Sequence, residues 1–171
     1  AQDHIPFLDH LHSQWVDSVM GTLTPDERIA QLIMVAAWSN RGDQHRQEIL
    51  DIIRDRKIGG LVFFQGGPGR QVALINEYQR ASRIPLLIAM DAEWGLGMRL
   101  DSTISYPYQM ALGAVQDTSL IYKMGLEVAK DFKRVGMHMN LAPDVDVNNN
   151  AGNPVINYRS FGENKYNVAA K

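Results

Sequence analysis

Two acids and an arginine follow each other closely in the segment IPLLIAMDAEWGLGMRL, which covers residues 84–100. Asp91 and Glu93 come directly after an apolar run, and Arg99 lies eight residues beyond Asp91. Side chains two residues apart at the end of a strand point to the same side. Such a pair of carboxylates can act as a catalytic acid and base, or it can accept hydrogen bonds from the hydroxyl groups of a substrate.

A purely structural interpretation of this segment is also open. Asp91 could cap a loop while Glu93 forms an ion pair with Arg99, since structural ion pairs also perturb charged groups near loops. Gly95 and Gly97 favour the functional interpretation, because glycine lets the backbone come close to a ligand.

A second arginine of interest, Arg159, lies in the segment NYRSFGEN beside Tyr158 and Phe161. An isolated arginine is usually a solvated surface charge. In a loop that follows a strand it becomes a candidate for gripping a polar ligand, because the planar guanidinium offers several donors in a fixed arrangement.

Other patterns that resemble known sites are incomplete. A dinucleotide-binding motif would need a third glycine at the position of Leu100. The segment GGPGR at residues 66–70 lacks the Lys-Ser/Thr of a phosphate loop, and it indicates a turn before a helix. The segment at residues 144–152 lacks the glycine and the final acid of a calcium loop. His10 and His12 could share a metal, but no further ligand stands nearby, so exposed histidines are expected.

The composition excludes several classes of function. The formal net charge of −2 leaves no basic excess for nucleic acid, and the longest apolar runs, such as residues 84–90, are far shorter than the roughly 20 residues of a membrane span. The chain has no cysteine, so it has neither disulfides nor thiolate metal sites. The first residues, 1–3, fit the end left by a signal peptidase, which predicts a periplasmic or secreted protein, with a cytoplasmic protein trimmed at this end as the alternative.

Apolar segments rich in strand-forming residues alternate with helical patterns along the chain. The predicted strands are residues 32–37, 59–65, 84–91 and 137–143. The third is apolar enough to be buried on both faces of a sheet.

The helical signals lie between these strands. Thr24 predicts an N-cap, Pro25 the first helical residue and Glu27 the reciprocal member of a capping box. Four further helices are predicted. The first has Ile49, Ile52, Ile53 and Arg56 on one side and ends at Gly59, and the second begins at Pro68. The third covers 118–135 and is closed by Gly136, and the first turns of the fourth cover 164–171. Residues 101–116 show no helix start.

This alternation predicts an α/β fold with about four parallel strands and flanking helices. Four strand–helix units are half of a (β/α)8 barrel, which takes roughly 250 residues, so we expect the N-terminal half of such a barrel over residues 22–171, after an N-terminal extension over residues 1–21. Long loops at residues 92–116 and 144–163 would lie at the carboxyl ends of strands, where active sites form. An open sheet leaves two unpaired edges, which favour self-association.

Five segments together resemble the N-terminal barrel domain of glycoside hydrolase family 3, in the same order and spacing from about residue 22 onward. They are LTPDERIAQLIMV, KIGGLVFFQ, IPLLIAMDAEWGLGMRL, MNLAPDVDVN and RSFGENKYNV. The pattern Asp91-x-Glu93-x-Gly95-x-x-x-Arg99 is similar to the β-N-acetylglucosaminidase branch of the family. The chain departs from many relatives at Trp94 and Leu96, which bears on fine specificity.

The resemblance implies that Asp91, Arg99 and Arg159 bind the hydroxyl groups of a sugar, with Glu93 and Asp144 as candidate supports behind them. It implies a retaining mechanism in which an aspartate is the nucleophile and a histidine paired with an aspartate is the acid/base. Those catalytic residues are expected beyond Lys171, so neither acid of the opening segment is assigned as nucleophile. No metal or organic cofactor is implied.

The expected function is therefore the hydrolysis of terminal β-linked N-acetylglucosamine, with carbohydrate as the partner and with this chain alone inactive. A β-glucosidase of the same family is one alternative. A non-catalytic sugar-binding half-barrel is the other, if the gene ends at the last residue.

Overall fold

The computed structural model describes residues 6–171, which fold around a four-stranded parallel sheet with the strand order β1-β2-β3-β4. The strands are β1 Met34–Ala37, β2 Gly60–Phe63, β3 Leu87–Met90 and β4 Met139–Asn140. Met34 pairs with Gly60, which in turn pairs with Leu87, so the first three strands are in step. The predicted α/β fold with parallel strands and flanking helices is confirmed.

Seven α-helices and three short 3-10 helices accompany the sheet in the described part of the chain. The α-helices are α1 Gln14–Gly21, α2 Pro25–Ala30, α3 Gly42–Arg56, α4 Pro68–Ala81, α5 Gln109–Gly113, α6 Thr118–Arg134 and α7 Lys165–Ala170. The 3-10 helices cover Pro6–His10, Leu96–Met98 and Asn157–Arg159. None of the helices in residues 6–171 is long and apolar enough to cross a membrane. The segment predicted as an extension contains α1, and its first five residues, with the predicted processing site, lie outside the described residues.

The start of α2 confirms the predicted capping box. The Thr24 amide donates to Glu27 Oε2 at 2.9 Å, and the Glu27 amide donates to Thr24 Oγ1 at 3.3 Å. Pro25 is the first helical residue, where its missing N–H leaves no intrahelical bond unmade. Lys57, at the end of α3, also forms an ion pair with Glu27. The ion pair therefore connects the start of α2 to the end of α3.

The predicted end of α3 at Gly59 is wrong. The helix ends at Arg56, and Lys57 closes it in the left-handed conformation with a φ of 52°. Gly59 instead lies against the main chain of Gln31, where an added Cβ would meet the carbonyl oxygen at 1.9 Å. A glycine there allows β2 to begin close to the end of α2, a tertiary requirement that a local helix signal does not reveal.

The expectation that residues 101–116 hold no helix start is also wrong, because α5 begins at Gln109. Its N-cap, Tyr108, makes no side-chain capping bond, so the usual sequence signal is missing. Tertiary contacts hold this short helix instead: the Gln109 side chain bonds to the main chain of a second loop, and Gly113 packs directly on Phe161.

The core lies between the sheet and helices α3, α4 and α6. Its fully buried side chains include Ile53 of α3, Tyr78 of α4 and Phe63 of β2. Three residues of β3, from Ile88 to Met90, are buried, whereas Leu87 is exposed, so the prediction of complete burial fails at the first residue of the strand.

The sheet has an unpaired edge at β1 and another at β4 within the described residues. Ile29, Leu32 and Ile33 are exposed near the first edge. At the other, β4 has only two residues, fewer than predicted, and α6 and the loop after β4 border an apolar cavity of about 860 Å³. Both edges of the open sheet are therefore accompanied by apolar surface.

Candidate functional site

The carboxyl ends of β2, β3 and β4 meet at one edge of the sheet and form a cavity of about 370 Å³. Phe64 follows β2, Asp91 follows β3 and Leu141 follows β4. The complete lining is Val62, Phe64, Asp91, Glu93, Leu141, Asp144, Val145, Asp146 and Arg159. The topology thus brings four of the five predicted site residues to one cavity, and the fifth, Arg99, reaches it through Asp91.

Asp91 and Arg99 form an ion pair at this cavity. Arg99 Nη2 donates to Asp91 Oδ2 at 2.7 Å, and its Nε donates to the Asp91 main-chain oxygen at 3.0 Å. The Arg99 side chain is 15% exposed and that of Asp91 is 28% exposed, so the carboxylate is the part open to a ligand. The guanidinium also lies 5.0 Å from the ring centre of Phe64, which fixes its other side.

The long loop that follows β3 is folded tightly on itself. Gly95 has a φ of 82°, and a Cβ on Gly97 would meet Ser105 Oγ at 2.0 Å. The Gly97 amide donates to the carbonyl oxygen of Ile104 at 3.1 Å. The glycines therefore permit a close approach between two parts of the loop, whereas the sequence suggested a close approach to a ligand. Their effect on the site is indirect, because the tight turn returns Arg99 to Asp91.

Glu93 pairs with Arg159, which comes from the other long loop. Arg159 Nη2 lies 2.6 Å from Glu93 Oε1, and Nε donates to both carboxylate oxygens at 2.9 and 3.1 Å. The Glu93 side chain is only 2% exposed, and its hydrogen bond is the main cause that raises the pKa of Arg159. The structural interpretation in which Glu93 pairs with Arg99 is wrong, because each acid has a different arginine.

Asp144 contacts the same nitrogen of Arg159, with its Oδ2 3.4 Å from Nη2, and its side chain is 5% exposed. The Asp146 amide donates to Asp144 Oδ1 at 2.9 Å. A hydrogen bond with Asp144 and the charge of that residue raise the pKa of the Asp146 carboxyl. Glu93 and Asp144 therefore both form ion pairs with Arg159 and hold it at the wall of the cavity.

Two amide side chains, not predicted from the sequence, hold the loops in place. Gln109 donates to the main-chain oxygens of Asp144 at 2.8 Å and Arg159 at 2.6 Å, and it accepts from the Asp144 amide at 3.1 Å. Asn140 of β4 accepts from the Ala92 amide at 3.1 Å and donates to the Ala92 carbonyl at 3.3 Å. No sequence signal marks either residue, because each acts through residues distant along the chain.

The remaining wall residues were also missed. Phe64 and Leu141 lie near the carboxyl ends of predicted strands, so their position was a usable signal, whereas Asp146 lies in the segment that resembles an incomplete calcium loop. In residues 6–171 no group of three or more histidine, aspartate or glutamate side chains is arranged to hold a metal ion. The cavity offers carboxylate oxygens and guanidinium N–H groups, which suit a neutral ligand rich in hydroxyl groups.

Comparison with known proteins agrees with this fold. Beta-hexosaminidase A of Pseudoalteromonas piscicida is 35% identical over 130 residues, which cover 68% of this chain and 22% of that protein. A protein of Cellulomonas fimi named beta-N-acetylglucosaminidase/beta-glucosidase is 24% identical over 166 residues, which cover 96% of this chain and 29% of that protein.

A solved structure shows the same arrangement of elements. The glycoside hydrolase family 3 β-N-acetylglucosaminidase from Paenibacillus sp. str. FPU-7 superposes with a TM-score of 0.77 at 32% identity, over 86% of this chain and 29% of that one. This chain therefore spans less than a third of the length of each of these three proteins. The sequence profile of the glycosyl hydrolase family 3 N terminal domain matches residues 24–171, and the chain therefore belongs to glycosyl hydrolase family 3.

Proposed function

We propose that this chain forms part of the sugar-binding site of a hydrolase that releases terminal β-linked N-acetylglucosamine with retention of configuration. The observation that carries the proposal is the Asp91–Arg99 pair at the 370 Å³ cavity. The named activities of the relatives from Pseudoalteromonas piscicida and Paenibacillus support the choice of sugar.

The geometry suits the recognition of hydroxyl groups. Arg99 engages Oδ2 and the main-chain oxygen of Asp91, and Asp91 Oδ1 has no hydrogen-bond partner among the described residues. This oxygen is free to accept from a sugar hydroxyl, and the paired arginine keeps the carboxylate in one orientation. Charge-assisted hydrogen bonds of this kind are about twice as strong as neutral ones, and they orient the ring. A firmly oriented sugar can be distorted toward an oxocarbenium-like transition state.

The catalytic nucleophile and acid/base are proposed to lie outside these 171 residues. Glu93 is enclosed by Arg159, and Asp91 is oriented by Arg99, so both acids already serve to build the site. We therefore expect the isolated chain not to hydrolyse glycosides. Neither carboxylate nor imidazole catalysis of glycoside hydrolysis requires a metal or organic cofactor.

A β-glucosidase is the second candidate, because the name of the Cellulomonas fimi relative includes both activities. The test uses the protein expressed from its complete gene with 4-nitrophenyl β-N-acetylglucosaminide and 4-nitrophenyl β-glucoside. Faster release from the first substrate, with the β-anomer as first product by NMR, supports the proposal. Faster release from the glucoside supports the second candidate, and an α-anomer as first product contradicts retention.

The same experiment separates the catalytic proposal from a non-catalytic sugar-binding protein. If neither substrate is cleaved while N-acetylglucosamine still binds, only the sugar-binding part of the proposal remains. We also propose that the isolated chain self-associates: a second copy would cover the apolar surface beside β4 and α6, because that strand edge is unpaired in the described residues.

A further inference from the structure

Next to the sugar cavity, four side chains form a continuous stack at the carboxyl ends of β1, β2 and β3. Arg99 lies over Phe64 at 5.0 Å, Phe64 stacks on Trp38 at 5.3 Å, and the guanidinium of Arg41 lies 3.5 Å from the Trp38 ring centre. Phe64 also lines the sugar cavity. The stack therefore leads from the wall of that cavity through the rings of Phe64 and Trp38 to Arg41.

Trp38 is held in place from two directions. Its main-chain N–H donates to His45 Nε2 at 3.2 Å, and its ring meets the imidazole edge to face at 5.5 Å. Phe64 packs nearly parallel to it, at an interplanar angle of 21°. A tryptophan fixed in this way costs little conformational entropy when a ligand contacts it.

Arg41 is exposed, and its guanidinium has no hydrogen bond or ion pair among the described residues. Stacking on an indole uses the face of the guanidinium and leaves the N–H donors in its plane available. These donors match a carboxylate, which can accept two parallel hydrogen bonds. The cation is thus prepositioned at the edge of the site without an anion of its own.

We infer that Trp38 and Arg41 form a second binding position for the group linked to the sugar, and that this group is a ring carrying a carboxylate. The ring contacts the edges of the Trp38–Phe64 stack while its carboxylate pairs with Arg41. The inference rests on the proposed function, since it takes the cavity at Asp91 as the place of the terminal sugar.

The test compares two ligands that differ in one charge: the S-linked 4-carboxyphenyl β-glycoside of N-acetylglucosamine and its 4-carbamoylphenyl counterpart. Thioglycosides resist hydrolysis, so calorimetric or fluorescence titration of the protein expressed from the complete gene measures binding alone. Free N-acetylglucosamine is titrated in parallel as the probe of the cavity itself. We expect the carboxylate ligand to bind roughly two- to five-fold more tightly than the amide, as for a partly exposed ion pair.

Three variants assign this difference to its source. Arg41→Gln is expected to remove the preference for the carboxylate and to leave the affinities for the amide ligand and for N-acetylglucosamine unchanged. Arg54→Gln, an equal charge change roughly 20 Å away near the far end of α3, is the matched control and should keep the preference. Trp38→Leu should weaken both aryl ligands by up to about ten-fold, and by more than it weakens the free sugar.

The inference is overturned if the wild-type chain binds the two aryl ligands equally, or if Arg41→Gln retains the preference. It is also overturned if Arg41→Gln weakens free N-acetylglucosamine to the same extent, since Arg41 would then act on the sugar cavity as a whole. Absence of any N-acetylglucosamine binding by the wild-type protein expressed from the complete gene instead contradicts the proposed function, and this inference falls with it.

Discussion

Glu93 and Arg159 are 66 positions apart in the sequence, yet their side chains meet at 2.6 Å and join the two long loops of the site. The carboxylate is almost completely buried, and three hydrogen bonds connect it to the guanidinium. Removal of one partner from a buried ion pair leaves the other charge without compensation, which costs more than the pair contributes by itself. This pair is therefore the main electrostatic link between the two loops.

Glu93→Gln is expected to lower the free energy of unfolding by about 2 kcal/mol or more, because Arg159 would keep its charge without its closest partner. Urea denaturation measures this change. The matched control is Asp101→Asn, which breaks the exposed ion pair between Asp101 and Arg70 at 2.8 Å. That variant should lose less than about 1 kcal/mol. Equal losses in the two variants would contradict the assigned role of Glu93.

Two glycine substitutions should act in opposite directions. A Cβ on Gly113 would lie 1.9 Å from the carbonyl oxygen of Phe161, so Gly113→Ala must separate α5 from the second loop and should cost about 1–3 kcal/mol. Gly125 lies within α6 with no atom near the position of a Cβ. Gly125→Ala should therefore stabilise the chain by about 0.5–1 kcal/mol. Thermal and urea unfolding of both variants measure these changes. Destabilisation by Gly125→Ala would contradict the open space at this position of α6.

The capping box of α2 predicts a pH dependence. The hydrogen bond from Lys57, and next the one from the Thr24 amide, lower the pKa of Glu27 below its ordinary value of 4.5. A carboxyl group with a lowered folded-state pKa stabilises the fold above its unfolded pKa and loses this contribution as the pH falls through the folded value. The melting temperature of Glu27→Gln should therefore lie below that of the wild type at pH 7, and the gap should narrow as the pH falls below 4.5 and close once Glu27 is protonated in the folded chain.

The control for this titration is Glu163→Gln, because Glu163 is exposed and forms no ion pair among the described residues. Its melting temperature should follow that of the wild type from pH 7 to pH 3. A gap for Glu27→Gln that stays constant over this range would mean that the charge of Glu27 does not contribute to stability.

The apolar surface beside β4 predicts concentration-dependent self-association. Leu120 and Leu126 of α6 are exposed, and the helix borders the apolar cavity of about 860 Å³. Leu120→Lys combined with Leu126→Lys should shift the sedimentation coefficient toward the monomer value, because two charges would have to be buried in the contact. Ile104→Lys, on the loop after β3, is the control and should leave association unchanged. Association that persists in the double variant would place the contact elsewhere.

Local features of the fold could be predicted from the sequence. The capping box at Thr24 involves residues three positions apart, and the four strands show as apolar runs between helical patterns, so nearby residues suffice to identify them. The partners of the charged residues could not be predicted in this way. Asp91 and Glu93 point toward one cavity, but their choice between Arg99 and Arg159 depends on how a distant loop folds back.

The same limit explains what the sequence did not show at the site. Helix α5 has no capping side chain at Tyr108 and is held by the bonds of Gln109 to a loop 35 and 50 positions further on. Asn140 positions the site by bonding to the main chain of Ala92, and main-chain partners leave no pattern in the sequence. These contacts exist only once β3 and β4 are paired.

The most direct test of the central claim is calorimetric titration with N-acetylglucosamine of the protein expressed from the complete gene, as the wild-type chain and as Asp91→Asn. The account predicts that the wild-type chain binds the sugar and that Asp91→Asn binds at least about ten-fold more weakly, because the charge-assisted bond to a hydroxyl is lost. Urea denaturation should show a smaller loss of stability for Asp91→Asn than for Glu93→Gln, because Asp91 is the more exposed of the two. Equal affinity of the wild-type chain and Asp91→Asn for N-acetylglucosamine would contradict the assignment of this cavity as the sugar site.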